Sequence, residues 1–411
     1  MKTEIHEFDN MLDRMISGLE DITAEGVKIE GKSIRYYRGS FWTHKQRQGN
    51  SLHEISYRAC FKAQLPDFFI RNLTGKSSTV FDPFNGRGTT VVQSVILGRK
   101  SIGIDVNPIS EVLTHPRIDI PKIDEIFERL DSISMDHHEG SDIDLGMFFH
   151  DDTIKEILSL KNYLRERSDS GKEDNIDRWI RMVATSRLTG HSVGFFSVYT
   201  LPPNQAASKE DQVRINERLK QRPEYRDTRK IIKRKTVSLL RDVNKPGIRE
   251  KINAAGHLSK VATFDSTKAS HLVDPESIDL TVTSPPFLNL VQYAKDNWLR
   301  CWFNGIDADK IEKNIFTTSD LESWLKFIET VFKQLYIITK KGGYVAFEVG
   351  EVRKGRINLD EYILKKAIIA GFEVLCVFIN DQNFTKTSNI WGVKNGKLGT
   401  NSNRIVLMRK T

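Results

Sequence analysis

The sequence is poor in cysteine, and the three present, Cys60, Cys301 and Cys376, show no paired spacing. That excludes a disulfide framework and a cysteine-based zinc site, so no metal is expected, and it suits a reducing compartment. No run approaches the roughly eighteen apolar residues of a membrane span. The first residues, Met1 to Glu7, lack the apolar stretch of a signal peptide. There is no internal repeat and no long low-complexity tract. Acidic residues are in deficit: 54 Asp and Glu face 62 Lys and Arg, a net charge of +8 over 411 residues. The resulting pI of about 9.1 favours a polyanion such as nucleic acid as partner. The length allows two or more domains, each with its own core.

Chemistry gathers in a few short strings. Ile278 to Val282 is an apolar run of strand type, and it ends in Thr283-Ser284-Pro285-Pro286-Phe287. Two prolines cannot continue a ladder, because proline has no N–H to donate. They leave a stiff turn with carbonyls at a sheet end. Ser284 Oγ and the Pro285 carbonyl can accept hydrogen bonds there, and Phe287 offers a ring for stacking. A proline-rich strand exit is the plainer reading of the same residues.

Upstream, Ser78 to Phe81 reads as a strand, Asp82-Pro83-Phe84-Asn85-Gly86-Arg87-Gly88-Thr89-Thr90 as a glycine turn, and Val91 to Leu97 as a helix start. Strand, glycine turn and helix form a nucleotide-loop arrangement without the full dinucleotide pattern. Ile102 and Ile104 lie on a second strand that ends at Asp105. An acid about twenty residues beyond such a loop suits two ribose hydroxyls, although a helix N-cap would use the same residue. Asp265 follows a third strand-like run, Val261 to Phe264.

Ser-Pro-Pro-Phe and Asp-Pro-Phe-x-Gly-x-Gly-Thr-Thr together resemble the S-adenosylmethionine (AdoMet)-dependent amino-methyltransferases of DNA, in their N4-cytosine form. The stretch from Gly49 to Pro66, with His53, Tyr57, Phe61-Lys62 and Leu65-Pro66, is similar to the family motif that precedes the glycine loop. The resemblance covers residues 35–110 and 258–411. It implies an α/β, Rossmann-like class I AdoMet methyltransferase fold with a mostly parallel seven-stranded sheet. It implies AdoMet held by Asp82, Phe84, Gly86, Gly88, Thr89, Asp105 and Asp265, the last at the adenine amine. It also implies catalysis by Ser284, Pro285, Pro286 and Phe287 on a flipped base. The expected protein is cytoplasmic, bacterial or archaeal, with DNA as partner. Whether a restriction endonuclease accompanies it, and in what oligomeric state it works, stay open. Ser at 284, rather than Asp or Asn, points to cytosine N4 over adenine N6. An RNA or protein-amide methyltransferase and a non-catalytic nucleic-acid-binding protein are the other readings.

Residues 1–110 and 258–411 are therefore expected to form the catalytic domain, and 111–257 a mainly helical insertion that could recognise DNA. Thr153 to Arg165 and Ile176 to Leu188 have helical spacing. Between them and the next helices lies an unusual polar and aromatic stretch, Thr189 to Gln205, in which His191 reads as structural. From Lys209 to Lys251 there are 15 Lys and Arg against 7 Asp and Glu, an excess equal to that of the whole chain. A solvated helix face could carry such a run. Its place in an insertion favours phosphate contact, by Arg229, Lys230, Lys233 and Arg234. The insertion falls before the adenine acid, not after it as the resemblance leads one to expect. Further on, Leu321 to Ile338 reads as an amphipathic helix, Lys340 to Gly343 as its stop turn, and 371–378 and 404–408 as closing strands.

Overall fold

The computed structural model describes residues 11–17, 21–29, 31–42, 49–57, 60–136, 142–201, 206–286, 293–352, 357–381 and 402–411. Its centre is a nine-stranded sheet. The strands are β1 (Thr23–Ile29), β2 (Lys32–Gly39), β3 (Thr79–Asp82), β4 (Lys100–Asp105), β5 (Lys260–Thr263), β6 (Ile278–Thr283), β7 (Thr339–Val349), β10 (Glu373–Asp381) and β11 (Ser402–Arg409), while β8 (Glu351–Val352) and β9 (Ile357–Asn358) pair separately. The order across the sheet is β1-β2-β10-β11-β7-β6-β3-β4-β5.

The seven strands from β10 to β5 are the expected Rossmann-like set, parallel except for β11, which runs antiparallel between β7 and β10. The expected count of seven is corrected by the β1–β2 hairpin, whose second strand adds in parallel to β10. Alternation explains why the sheet is covered on both faces. Phe81, Val345, Phe347, Val377 and Val406 face the helices Leu321–Ile338 and Leu359–Ile369. Their neighbours Val80, Leu280, Ala346, Phe378 and Leu407 face the helix Gln64–Leu73.

The stop turn expected at Lys340 to Gly343 is also corrected. The helix Leu321–Ile338 passes straight into β7, and these residues belong to the strand. The register jumps from Ile278 opposite Thr339 to Leu280 opposite Tyr344, so the extra residues form a bulge. Gly342 takes φ 76° there, and a Cβ on Gly343 would come within 2.9 Å of the Lys340 carbonyl.

The segment 111–257 is built mainly of helices. Its helices include Asp151–Asp169, Asn175–Arg187, Lys209–Leu219, Thr228–Leu240 and Ile248–Gly256. Its apolar faces are continuous with the sheet's helical layer. Trp179, Ile180, Val183, Ile232 and Leu239 share one core with Val91, Val92 and Val95 from the helix after the glycine turn. Trp179 is fully buried, and its indole N–H donates to Thr236 Oγ1 at 3.1 Å. No helix of the described residues is long and apolar enough to cross a membrane.

Candidate active site

The crevice lies where strand order reverses, between β3 and β6, at the carboxyl ends of the parallel strands. Asp82 ends β3 and Thr283 ends β6. Thr283 Oγ1 donates to Asp82 Oδ1 at 2.6 Å, and the Phe84 N–H donates to the same oxygen at 3.1 Å. Burial raises the Asp82 carboxyl to about 6, against the pull of those donors. This acid therefore ties the glycine turn to the strand that carries Ser284.

Gly88 caps the helix Thr89–Ile96 at φ 77°, and an added Cβ would stand 2.3 Å from Thr114 Oγ1, so only glycine fits. Asp105 accepts the Gly86 N–H at 2.8 Å and the Asn107 N–H at 2.9 Å, one on each carboxylate oxygen. Burial pushes this carboxyl up, and the two N–H groups pull it back. Asp265 caps the short helix Ser266–His271, with Oδ1 accepting both Thr267 N–H and Oγ1–H.

The motif before the glycine turn is held by buried arginines. Arg87 donates to the Ile55 carbonyl at 2.6 Å, and Arg117 donates to the carbonyls of Leu52, Leu113 and Arg87. His53 is buried against Gln93 at 2.8 Å, and desolvation with the two guanidiniums nearby lowers it to about 3, which keeps it neutral. Tyr57 reaches the cavity from this segment.

A cavity of about 390 Å³ brings Phe84, Gly86, Asp105, Asp265, Ser284 and Pro286 together. Asp82, Gly88 and Thr89 stand behind it as buried groups that shape the turn. Phe287 lies outside the described residues. The opposite wall is aromatic: Phe316 stacks on Phe327 at 4.3 Å and 5°, and Phe84 lies 5.9 Å from Phe327. The turn after β6 is anchored by Trp324, whose indole N–H donates to the Pro286 carbonyl at 2.9 Å.

Ser284 Oγ is buried with no partner of good hydrogen-bond geometry among the described residues. It faces the carboxyl of Glu348 on β7, which it helps to keep charged. Glu348 is only 3% exposed. Burial pushes it up to about 7, while the hydrogen bond from Asn403 and the nearby Ser284 hydroxyl pull it down. Sequence reading missed this residue, although a lone acid within the apolar run Val345 to Val349 was a signal.

The four basic residues expected on DNA are placed differently from one another. Arg229 donates to the Leu130 and Ile133 carbonyls at 3.0 and 2.7 Å, and Lys233 pairs with Asp131 at 2.7 Å. Lys230 is exposed and pairs with Asp227 on its own helix. Arg234 donates to the Val193 carbonyl at 3.2 Å. None of them lines the cavity.

A family profile described as DNA methylase matches residues 21–111. The chain is 22% identical over 383 residues to the Type II methyltransferase M.BsoBI of Geobacillus stearothermophilus, which covers 83% of this chain and 71% of that protein. A shorter match, 34% identical over 73 residues, is to the Type II methyltransferase M.MjaII of Methanocaldococcus jannaschii, covering 17% of this chain and 14% of that one. The family profile and the two relatives support a likeness to the AdoMet-dependent DNA amino-methyltransferases. Among solved structures, the TTHA0409 protein of Thermus thermophilus, complexed with S-adenosyl-L-methionine, is 22% identical with a TM-score of 0.23; the match covers 36% of this chain and about half, 53%, of that one.

The cavity fits AdoMet by its chemistry. Two acid side chains lie on the wall where hydroxyl and amine donors would come, and aromatic faces lie opposite for an adenine. Replacing Asp105 with alanine should weaken AdoMet binding by about 1.5–3 kcal/mol, the usual cost of losing charge-assisted hydrogen bonds. Calorimetry giving wild-type affinity for the folded variant would remove Asp105 from the cofactor site.

Proposed function

We propose that this chain methylates an exocyclic amine of a base in DNA at a specific sequence, forming N4-methylcytosine. The observation that carries the reading is the convergence of Ser284, Asp105 and Asp265 on one cavity, with a buried carboxyl behind the serine. Bound AdoMet supplies a methyl group on a sulfonium, an already activated leaving group. The protein must manage the other reactant, whose nitrogen lone pair is delocalised into the ring. Ser284 Oγ and the Pro285 carbonyl accept the two amino protons and hold the nitrogen in orientation. Glu348, ionised, draws proton density from the Ser284 hydroxyl and takes up the proton the amine gives up. Asp82 and Trp324 keep the turn in place from either side. The target amine is inaccessible within a stacked duplex, so the base enters the cavity by flipping.

Ser284 in place of an acid or amide supports cytosine. N6-adenine is the second reading, since the same acceptors serve either amine. The name of the Geobacillus stearothermophilus relative supports a Type II modification role. Methylome sequencing of DNA from cells expressing the gene reports the modified base and its context together. N4-methylcytosine at a recurrent site is the expected result; N6-methyladenine selects the second reading, and unmodified DNA in the presence of soluble, AdoMet-binding protein defeats both.

A further inference from the structure

The loop 189–201 is not part of the cavity, yet it is firmly built. Phe196 N–H donates to the Arg187 carbonyl at 2.8 Å, Val198 N–H to the Phe148 carbonyl at 2.8 Å, and Thr200 N–H to the Gly190 carbonyl at 3.0 Å. Phe195 and Phe196 are buried beneath it, and a Cβ on Gly190 would lie 2.4 Å from the Phe195 ring. On this base Ser192 to Gly194 make a tight turn, closed by Phe195 N–H on the Ser192 carbonyl at 3.1 Å. At its tip Val193 is 71% exposed, the most exposed large apolar side chain among the described residues.

A single exposed valine needs no explanation. A rigid one ringed by guanidiniums does. Arg226 donates to the carbonyls of Ser192 and Phe195 at 3.0 and 3.3 Å, Arg234 to that of Val193 at 3.2 Å, and Arg187 lies 4.1 Å over the Phe195 ring. Among the described residues none of these three forms an ion pair with a carboxylate. Part of the basic run is matched instead: Lys230 by Asp227, Lys233 by Asp131, and Arg241 by Glu54. Three guanidiniums without a carboxylate partner thus surround the apolar tip. A guanidinium bonded to a carbonyl through one nitrogen still has N–H donors for an anion.

The chain beyond the loop bonds to a helix that follows Ser284 in the sequence. Ala206 N–H donates to the Asp296 carbonyl at 2.9 Å, and the Trp298 indole donates to the Ala207 carbonyl at 2.9 Å. Both partners lie on the helix Tyr293–Phe303, the first helix after Ser284. Extruding a base leaves a gap in the stack and costs a few kcal/mol. Apolar side chains inserted between base steps fill such gaps in other systems, while cations hold the flanking backbone.

We propose that the Ser192–Gly194 tip enters duplex DNA, with Val193 filling the stack beside the extruded base and Arg226 and Arg234 on the flanking phosphates. This rests on the methyltransferase reading above, and the test separates the two. Single-turnover methylation is measured on a duplex carrying the site found by methylome sequencing. It is repeated on the same duplex with the target base mispaired, which is already partly unstacked. Val193→Asp, at an exposed position that leaves the core intact, should lower the ratio of duplex to mispaired rates by about tenfold or more. An unchanged ratio overturns the inference, whether both rates hold or both fall; the latter is also what a protein-partner surface or a general loss of binding would give. Arg234→Gln should reduce the slope of log affinity against log salt by about 0.9, and an unchanged slope counts equally against the proposal. If the wild-type protein methylates neither duplex, the methyltransferase reading itself falls, and the wedge with it.

Discussion

Ser284→Ala should lower turnover by about 10²–10³-fold while AdoMet affinity keeps its wild-type value. Ser284 lines the cavity from the end of β6, whereas the acids Asp105 and Asp265 stand on β4 and after β5. Its loss removes an acceptor for the amine and disconnects Glu348 from it. It does not disturb the turn, because that is held by Thr283 on Asp82 and by Trp324 on Pro286. Single-turnover rates with titration calorimetry on the same variant check this. If affinity for AdoMet falls in step with turnover, Ser284 supports the cofactor loop and the assignment of the motif fails.

Glu348→Gln should separate stability from activity. Unfolded, this carboxyl titrates near its ordinary 4.5; folded, burial moves it to about 7. Between those values the folded protein holds a proton that the unfolded chain releases. Stability therefore declines as pH rises from about 4.5 to about 7, and the decline is complete above that. Glutamine carries no such penalty. The variant should match wild type at pH 4 and exceed it at pH 8 by up to about 3 kcal/mol. Its turnover at pH 8 should be about 10²-fold lower, and the wild-type rise in kcat through pH 7 should vanish. Denaturation at both pH values and a kcat profile are the measurements. A variant that keeps the rise through pH 7 would take the proton-accepting role away from Glu348.

Much of the candidate cofactor side could be grouped from the sequence because it is local. Asp82, Gly86, Gly88 and Asp105 sit within one strand-turn-helix-strand unit, where spacing along the chain is nearly spacing in the fold. Ser284 was legible through the chemistry of its two prolines. Glu348 was not, since it meets Ser284 only when β7 is laid beside β6, and it bonds Asn403 only when β11 is laid beside β7. The β1–β2 hairpin escaped for a related reason: its strands are mixed polar sequences at a sheet edge, and only Ile34, Tyr36 and Tyr37 of β2 are buried apolar residues. The bulge in β7 was hidden by two glycines that spell a turn in any local reading. In the basic run, net charge was read correctly from composition. Which charges are matched was not, because Lys233 finds Asp131 and Arg241 finds Glu54 across long stretches of chain.

The strand β3 lies inside the sheet, third from the β5 edge, yet its partner β6 lies beyond the whole insertion. A ribosome working at about 5–20 residues per second needs roughly ten to thirty seconds to pass from β4 to β6. Throughout that interval one side of β3, a short apolar strand, has unpaired backbone groups. Such an edge can recruit a neighbouring chain, and a sheet joined by distant parallel pairings closes slowly. The helix Thr89–Ile96 and the insertion packed on it can cover one face of the nascent unit meanwhile, but they cannot satisfy that edge. Yield from overexpression is thus governed by how long β3 waits, and slower growth at low temperature with abundant chaperone should matter more for this chain than for one whose central strands are neighbours in sequence.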